Sequence, residues 1–315
     1  MLWQARVTSS HPGSASRVTI VTVLFNSAGV LNRFLRSLRE QSMPDWELIA
    51  VDNASTDGSV ARLAALQDER IHVIRNGVNA GFARASNRGL RVALERNATF
   101  CLLLNNDTAF PPDFLADLLA AREALAADVI TPRITYLNAP DKAWYAGGSF
   151  DSRWVFKSVH EEQWSPADVT PRTVEFASGC CLGLTRRVLE QVGLLDERYF
   201  VYWEDTDYCM TLYKSAVPVF YVPNCVIWHD SSKLTGGPNS AGFIRLFYRG
   251  YVLFLLKHFG LRYTARAMVR LLLRNVAHRD DRGRLASPVI GLAMARGLLE
   301  AIRHRSARLR DTALR

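Results

Sequence analysis

The sequence predicts an α/β fold, a mostly parallel sheet with helices on both faces, followed by a basic helical extension. Three observations carry this. Short apolar runs rich in β-branched residues alternate with segments of helical periodicity through the first half of the chain. A strand–helix–strand–helix order favours parallel pairing, with the connecting helices covering the sheet. After Gly236-Gly237-Pro238 the composition turns to basic, amphipathic helix.

Taken in order, residues 1–16 have neither a continuous apolar core nor the layout of a signal peptide, and read as a flexible N-terminus. Val18–Leu24 is apolar and β-branched, a buried strand. Residues 30–40 set Val30, Leu31, Phe34, Leu35 and Leu38 at helical spacing. Residues 47–51 make a second strand ending at Asp52, and residues 59–66 a helix started by Asp57 or Gly58. Residues 71–74 are a third strand, Phe82–Glu95 a helix, and Phe100–Leu104 a fourth strand that runs into Asn105-Asn106-Asp107. Pro111 and Pro112 suit the start of a helix reaching about Ala127, before a short strand at 129–131. Between residues 138 and 172 the periodicity fades among scattered Pro, Gly and Trp, as in a surface excursion. Order returns at 174–185, with helices at 186–192 and Glu204–Lys214 and a strand at 217–222.

With 315 residues, 49% of them hydrophobic, the chain can bury a sizeable core, and 22% charged residues excludes a disordered or fibrous class. The net charge of +9 is uneven: residues 240–315 carry 16 Lys and Arg against 4 Asp and Glu, the rest 23 against 26. The basic surface therefore belongs to the C-terminal quarter, where anionic lipid or nucleic acid could meet it. Five cysteines, Cys101, Cys180, Cys181, Cys209 and Cys225, form no CxxC pair, and an odd number argues against a disulfide framework. A reducing cytoplasm fits. No apolar stretch is long enough to span a bilayer.

In parallel sheets ligands bind beyond the carboxyl ends of strands. Two predicted strand ends are polar, Asp52-Asn53 and Asn105-Asn106-Asp107. A carboxylate there can hold a divalent cation beside a ligand's phosphates, although the same residues also suit turns and caps. A second cluster runs from Tyr202 to Cys209. Its carboxylates Glu204, Asp205 and Asp207 repel one another, which calls for a function, a cation or a helix N-terminus. His229 follows an apolar run and reads as a structural histidine or a metal ligand.

These segments together resemble glycosyltransferase family 2. The likeness rests on Thr22-Val-Leu-Phe-Asn26, on Ile49-Ala-Val-Asp-Asn-Ala-Ser-Thr-Asp-Gly-Ser59, and on Asn76-Gly-Val-Asn-Ala-Gly-Phe-Ala-Arg-Ala-Ser-Asn-Arg-Gly89. Asn105-Asn-Asp107 stands where that family has its DxD-type motif. Ser178–Arg187, Val192–Phe200 and Glu204-Asp205 resemble its acceptor-side and ED blocks. The likeness spans about residues 18 to 260 and is greatest to the bacterial rhamnosyltransferase-like branch. It implies a GT-A catalytic domain over 17–238, with a nucleotide-sugar half (17–135) and an acceptor half (136–238), then a basic helical region over 239–315. It also implies inverting transfer of a sugar to a hydroxyl of a lipid-linked or surface-glycan acceptor. The implied donor is dTDP-rhamnose or another dTDP- or UDP-sugar, and the cofactor is Mg²⁺ or Mn²⁺. Residue by residue, Asp52 would contact the base with Phe25 and Asn26 nearby, and Asn79, Gly81 and Asn87 would shape the same pocket. Asn105, beside Asn106, would approach the ribose. Asp107 would bind the metal, with His229 completing that site. Asp205 would be the catalytic base, Gly179, Trp203 and Glu204 would line the acceptor side, and Arg249 would meet phosphate. Two positions depart from the family pattern: the DxD-type motif offers only the Asp107 carboxylate, and the usual Arg-Asn pair reads Arg249-Gly250. The QxxRW pattern of processive synthases is absent, which favours single transfers.

Rival readings are weaker. A metal-dependent nucleotidyltransferase needs a Gly-rich basic loop after the first strand, and residues 24–30 have Gly29 but no Lys or Arg. A basic nucleic-acid-binding protein, suggested by the tail, would show salt-dependent affinity for DNA or RNA and need no metal; no nucleic-acid partner is expected. An inactive relative would not need Asp107, Asp205 and His229 together. In the tail, Phe247, Tyr251, Phe254, Leu255 and His258 share helical spacing, and Arg262, Arg266, Arg270 and Arg274 recur every four residues. Such a segment lies on an anionic inner membrane face, packs on the catalytic domain, or forms a homodimer interface.

Overall fold

The computed structural model describes residues 18–150, 157–158, 165, 167–230, 240–274 and 288–300. Strands β1 (Val18–Leu24), β2 (Trp46–Asp52), β3 (Ile71–Arg75) and β4 (Phe100–Leu104) are parallel and lie in the order β4-β1-β2-β3. Their connections are α1 (Ala28–Arg39), α2 (Ser59–Ala64) and α3 (Phe82–Glu95). Helix α1 forms because its apolar positions fall on one face, and Val30, Leu31, Phe34, Leu35 and Leu38 are buried. Each such side chain contributes roughly 1.5–3 kcal/mol by leaving water. β2 is buried along its whole length, as expected of a central parallel strand.

The second half turns the sheet from parallel to mixed. After α4 (Phe114–Ala124) comes β6 (Val129–Tyr136), and β11 (Cys181–Thr185) fits antiparallel between β4 and β6. β11 is reversed because it starts beside the end of β4, with Cys181 opposite Leu104, and runs back toward α5 (Arg186–Gln191). β12 (Val219–His229) runs parallel to β6, β10 (Arg172–Val174) pairs antiparallel with β12, and β5 (Thr108–Ala109) joins β12 at its far end.

Two expectations are corrected here. The region expected to be an excursion contains β7 (Ala139–Tyr145), an antiparallel partner of β6, and a small ribbon of β8 (Gly148–Ser149) and β9 (Lys157–Ser158). Pro140, Asp141 and Lys142 are exposed while Ala143 and Tyr145 are buried, so only one end of β7 carries an apolar pattern. Residues 151–156, 159–164 and 166 of that stretch lie outside the described residues. The strand expected at 217–222 instead continues to His229, because the register shift between Val222 and Val226 absorbs Pro223 as a bulge.

Helices α6 (Glu204–Lys214), α7 (Ala241–His258) and α8 (Gly260–Arg274) and a helix at 288–300 complete the described chain. The aromatic stripe of α7 faces inward. Phe247, Tyr251 and Phe254 hold their ring centroids 5.2, 5.1 and 5.2 Å from that of Trp203. Phe254 and Leu255 are fully buried. Of the three uses open to that stripe, packing on the catalytic domain is the one observed. Gly250 is what lets α7 come so close: a Cβ there would lie 2.9 Å from the Trp203 ring and 3.2 Å from the Tyr202 carbonyl. Among the described residues, no helix is long and apolar enough to cross a membrane.

Candidate active site

The β3-β2-β1-β4 order brings the loops after these strands to one edge. After β1, Asn26 takes a left-handed conformation (φ +52°), which asparagine tolerates. Its side-chain oxygen accepts a hydrogen bond from the Thr56 amide (2.8 Å), tying the first loop to the second. Phe25 beside it remains 44% exposed. Asp52 ends β2 almost buried, and its Oδ1 accepts from the Ser55 amide (3.1 Å).

Asn53 is the residue that sequence reasoning undervalued. Its amide donates to Asn79 Oδ1 (2.9 Å) and the Gly81 carbonyl (3.2 Å), and its oxygen accepts from Asn76 Nδ2 (2.9 Å) and the Ala80 amide (3.0 Å). One buried side chain thus moulds the whole 76–81 loop. The signal lay in Asn53 adjoining Asp52 and in the run of asparagines Asn76 and Asn79, but only the fold pairs them. Gly81 has φ +86°, and a Cβ there would collide with Phe200, whose carbonyl accepts from the Phe82 amide (2.5 Å). Asn87 faces elsewhere: its amide clasps Leu195, accepting from its N–H (3.0 Å) and donating to its carbonyl (2.8 Å), and also reaches Glu197 (3.1 Å).

The fourth loop carries the candidate metal ligands. Asn106 Nδ2 donates to the Val23 carbonyl (2.5 Å), fixing the loop against β1. Pairing of β5 with β12 sets His229 opposite Thr108, and the Asp230 amide donates to the Asp107 carbonyl (2.9 Å). A histidine far along the chain thereby comes within 3.3 Å (Nε2 to Oδ1) of Asp107. Both side chains are buried, yet Asp107 Oδ1, Asn106 Oδ1 and His229 Nδ1 have no hydrogen-bond partner. Buried unsatisfied polar atoms are costly, and these three belong to one loop and to the strand end paired beside it. The Trp144 ring packs edge-on to His229 (centroids 4.5 Å apart). Among the described residues no three His, Cys, Asp or Glu side chains converge as a complete metal cage.

Beside this loop, the Asn105 amide donates to the Cys180 carbonyl (2.9 Å), and the Gly179 amide donates to Asp205 Oδ2 (3.1 Å). Asp205 Oδ1 accepts from the Thr206 amide (2.7 Å). Burial raises the Asp205 pKa above the usual aspartate value, and these hydrogen bonds oppose the shift. Its neighbour Glu204 is also raised, first by burial and then by the Asp205 charge, and its Oε2 has no partner. Asp207 does something different. It accepts from Tyr199 Oη (3.0 Å), Lys257 Nζ (2.6 Å) and His258 Nε2 (2.8 Å), bolting α6 to α7. The acidic cluster therefore separates into an anchor, Asp207, and two carboxylates, Glu204 and Asp205, without a basic partner in these contacts. Tyr202 and Trp203 enter α6 through consecutive left-handed conformations (φ +68° and +73°), a strained approach typical of functional sites. Arg249, expected to meet phosphate, is engaged by Glu300 and by the Arg198 carbonyl (2.9 Å).

Polar loops at the ends of parallel strands, on a sheet that reverses at β11, are the architecture of GT-A glycosyltransferases. Solved structures share that fold: S. aureus TarS in complex with UDP (TM-score 0.53, 16% identity, 83% of this chain and 71% of that one). The mannosyltransferase PcManGT from Pyrobaculum calidifontis, in complex with GDP-Man and Mn²⁺, is another (TM-score 0.52, 16% identity, 96% and 79%). Residues 19–193 match the model of Glycosyl transferase family 2, and the chain belongs to that family. It is similar to the N-acetylglucosaminyl-diphospho-decaprenol L-rhamnosyltransferase of Mycobacterium tuberculosis, with 26% identity over 298 residues, 84% of this chain and 96% of the relative. It is also similar to the dTDP-rhamnosyl transferase RfbF of Shigella flexneri, with 25% identity over 217 residues, 68% of this chain and 69% of the relative. The protein is a hexosyltransferase.

Proposed function

We propose that the protein transfers a sugar, rhamnose from dTDP-rhamnose or another hexose from a dTDP- or UDP-sugar, with inversion, onto a hydroxyl of a lipid-linked glycan acceptor. The observation that carries this is the buried Asp107–His229 pair, 3.3 Å apart and with unsatisfied atoms, at the end of a nucleotide-binding strand edge. Support for the sugar and acceptor comes from the names of the mycobacterial and Shigella relatives.

The pair fits a divalent ion. Two protein ligands are too few for a closed cage, and suit Mg²⁺ or Mn²⁺ that takes its remaining oxygens from substrate phosphates and water; the imidazole tilts the choice toward Mn²⁺. When bound, the ion would neutralise the diphosphate as it leaves. Asp52 and Phe25 would meet the base, on a floor shaped by Asn26, Asn53, Asn79 and Gly81, and Asn105 would approach the ribose. Asp205 would take the proton of the attacking hydroxyl, and its raised pKa makes it a stronger base for that step. Gly179 holds Asp205 in place, while Trp203 and Glu204 would border the acceptor. In this reading residues 17–238 perform transfer on the cytoplasmic side, which suits the buried free thiols of all five cysteines.

A thermal-shift series with dTDP-rhamnose, UDP-sugars and GDP-mannose, with Mn²⁺, Mg²⁺ or chelator, tests the reading. One nucleotide-sugar class should raise the melting temperature only when metal is present. No shift with any donor under any metal condition would overturn it.

A further inference from the structure

Helix α8 carries a surface that the transfer chemistry does not use. Its inner face is docked, with Thr264 buried and Met268, Leu271 and Leu272 packed in the cluster that holds Ile244, Val252, Ile290 and Met294. An outer face in this setting is ordinarily polar. Here Leu261, Val269 and Leu273 stand 65%, 57% and 70% exposed in one row. Arg262, Arg266 and Arg270, all exposed, form the adjoining row one residue on. The helix contains no Asp or Glu. The neighbouring 288–300 helix repeats the combination, with Leu292 and Leu299 more than half exposed and Arg296 between them.

We propose that this outer face of α8 lies in the headgroup layer of an anionic bilayer, with Leu261, Val269 and Leu273 at the acyl boundary and the arginines on lipid phosphates. Apolar and basic rows side by side, without acids, are the pattern that holds an amphipathic helix flat on such a surface. The same charge disfavours a second copy of the chain on this face, because a two-fold contact would set two acid-free arginine rows against each other. The surface is also connected to the site: α8 packs on α7, and α7 packs through Gly250 on Trp203, two residues from Asp205. That connection suits an acceptor presented on a lipid. This last link rests on the proposed transfer reaction, whereas the bilayer contact does not.

The test is co-sedimentation of the full chain with phosphatidylcholine vesicles with and without phosphatidylglycerol. Wild type should bind only the anionic vesicles, and binding should weaken as salt is raised. The triple variant Arg262→Gln, Arg266→Gln, Arg270→Gln should lose about a hundredfold in partitioning, from roughly 1 kcal/mol per basic side chain. The variant Leu261→Ser, Val269→Ser, Leu273→Ser should also lose binding. Both should keep the wild-type circular dichroism and the nucleotide-sugar thermal shift. Equal binding to neutral and anionic vesicles, no binding to either, or salt-independent binding would overturn the proposal. So would a wild-type dimer in light scattering that the serine variant dissolves. A chain that binds anionic vesicles but shows no nucleotide-sugar shift would instead count against the transferase reading alone.

Discussion

Along the β3-β2-β1-β4 edge, each loop follows directly from its own strand, and hydrogen bonds such as those of Asn53 shape it. On α6, Asp205 depends on distant partners: Gly179 on the loop before β11, and α7, anchored by Asp207 to Lys257 and His258. In the proposed reading, the nucleotide side is thus a property of the sheet, and the acceptor side a property of docking between helices far apart in sequence. Damage to the first should appear in donor binding. Damage to the second should appear in turnover and in the attachment of the C-terminal helices.

The largest effect is expected at the acceptor side. Asp205→Asn should lower kcat by about 10²–10⁴, the range for loss of a general base, and leave donor affinity near wild type. Because burial raises the Asp205 pKa, the wild-type rate should already fall at a pH above the usual aspartate range as the base takes up its proton. A wild-type rate in the Asn variant would show that Asp205 is not the base. Asp207→Ala should cost about 1–3 kcal/mol in chemical denaturation, since it leaves the buried Tyr199 hydroxyl and the His258 ring without this acceptor, while Lys257 keeps Asp196. Proteolysis should then release the region beyond residue 240 earlier than the sheet. If the variant melts like wild type in one transition, α7 is held by its apolar contacts instead.

On the nucleotide side, Asn53→Ala should cost about 1–3 kcal/mol of stability for the polar groups left unpaired, and should weaken donor binding in calorimetry without changing Asp205-dependent steps. Unchanged donor affinity would separate the 76–81 loop from the nucleotide. The smallest effect is a pH signature. Glu204 keeps its proton in the fold at pH values where the unfolded chain, near its ordinary value of 4.5, has lost it. Wild-type stability therefore declines as pH rises above that value, up to the raised folded pKa, and Glu204→Gln should be spared this decline. The difference in melting temperature between Glu204→Gln and wild type should grow with pH; a constant difference would mean that Glu204 ionises normally.

How much of this was legible in the sequence follows the same division. Val18–Leu24, Phe82–Glu95, Phe100–Leu104 and Glu204–Lys214 have the same bounds in sequence and structure, because each carries its own periodicity or capping signal. The reversed β11, the edge strand β7 and the extension of β12 past Pro223 depend on pairing across the sheet, and one-dimensional patterning does not contain them. Asp107 was readable as a strand-end acid, but its meeting with His229 required β5 to pair with β12. The resemblance sets Glu204 and Asp205 apart, but the anchoring of Asp207 to α7 shows only in the fold. The aromatic stripe of α7 was visible, but Gly250, which decides where the stripe packs, appeared in sequence only as a departure from the family pattern.

The central claim is that the Asp107–His229 pair joins a divalent ion to the nucleotide diphosphate on the strand edge, while Asp205 acts only in transfer. Titration calorimetry of the donor nucleoside diphosphate into wild type, Asp107→Ala and Asp205→Asn, with Mn²⁺ and with chelator, addresses it most directly. The account predicts metal-dependent binding in wild type and in Asp205→Asn, and loss of that metal dependence in Asp107→Ala. Tight nucleotide binding that is indifferent to chelator and unchanged in Asp107→Ala would contradict it.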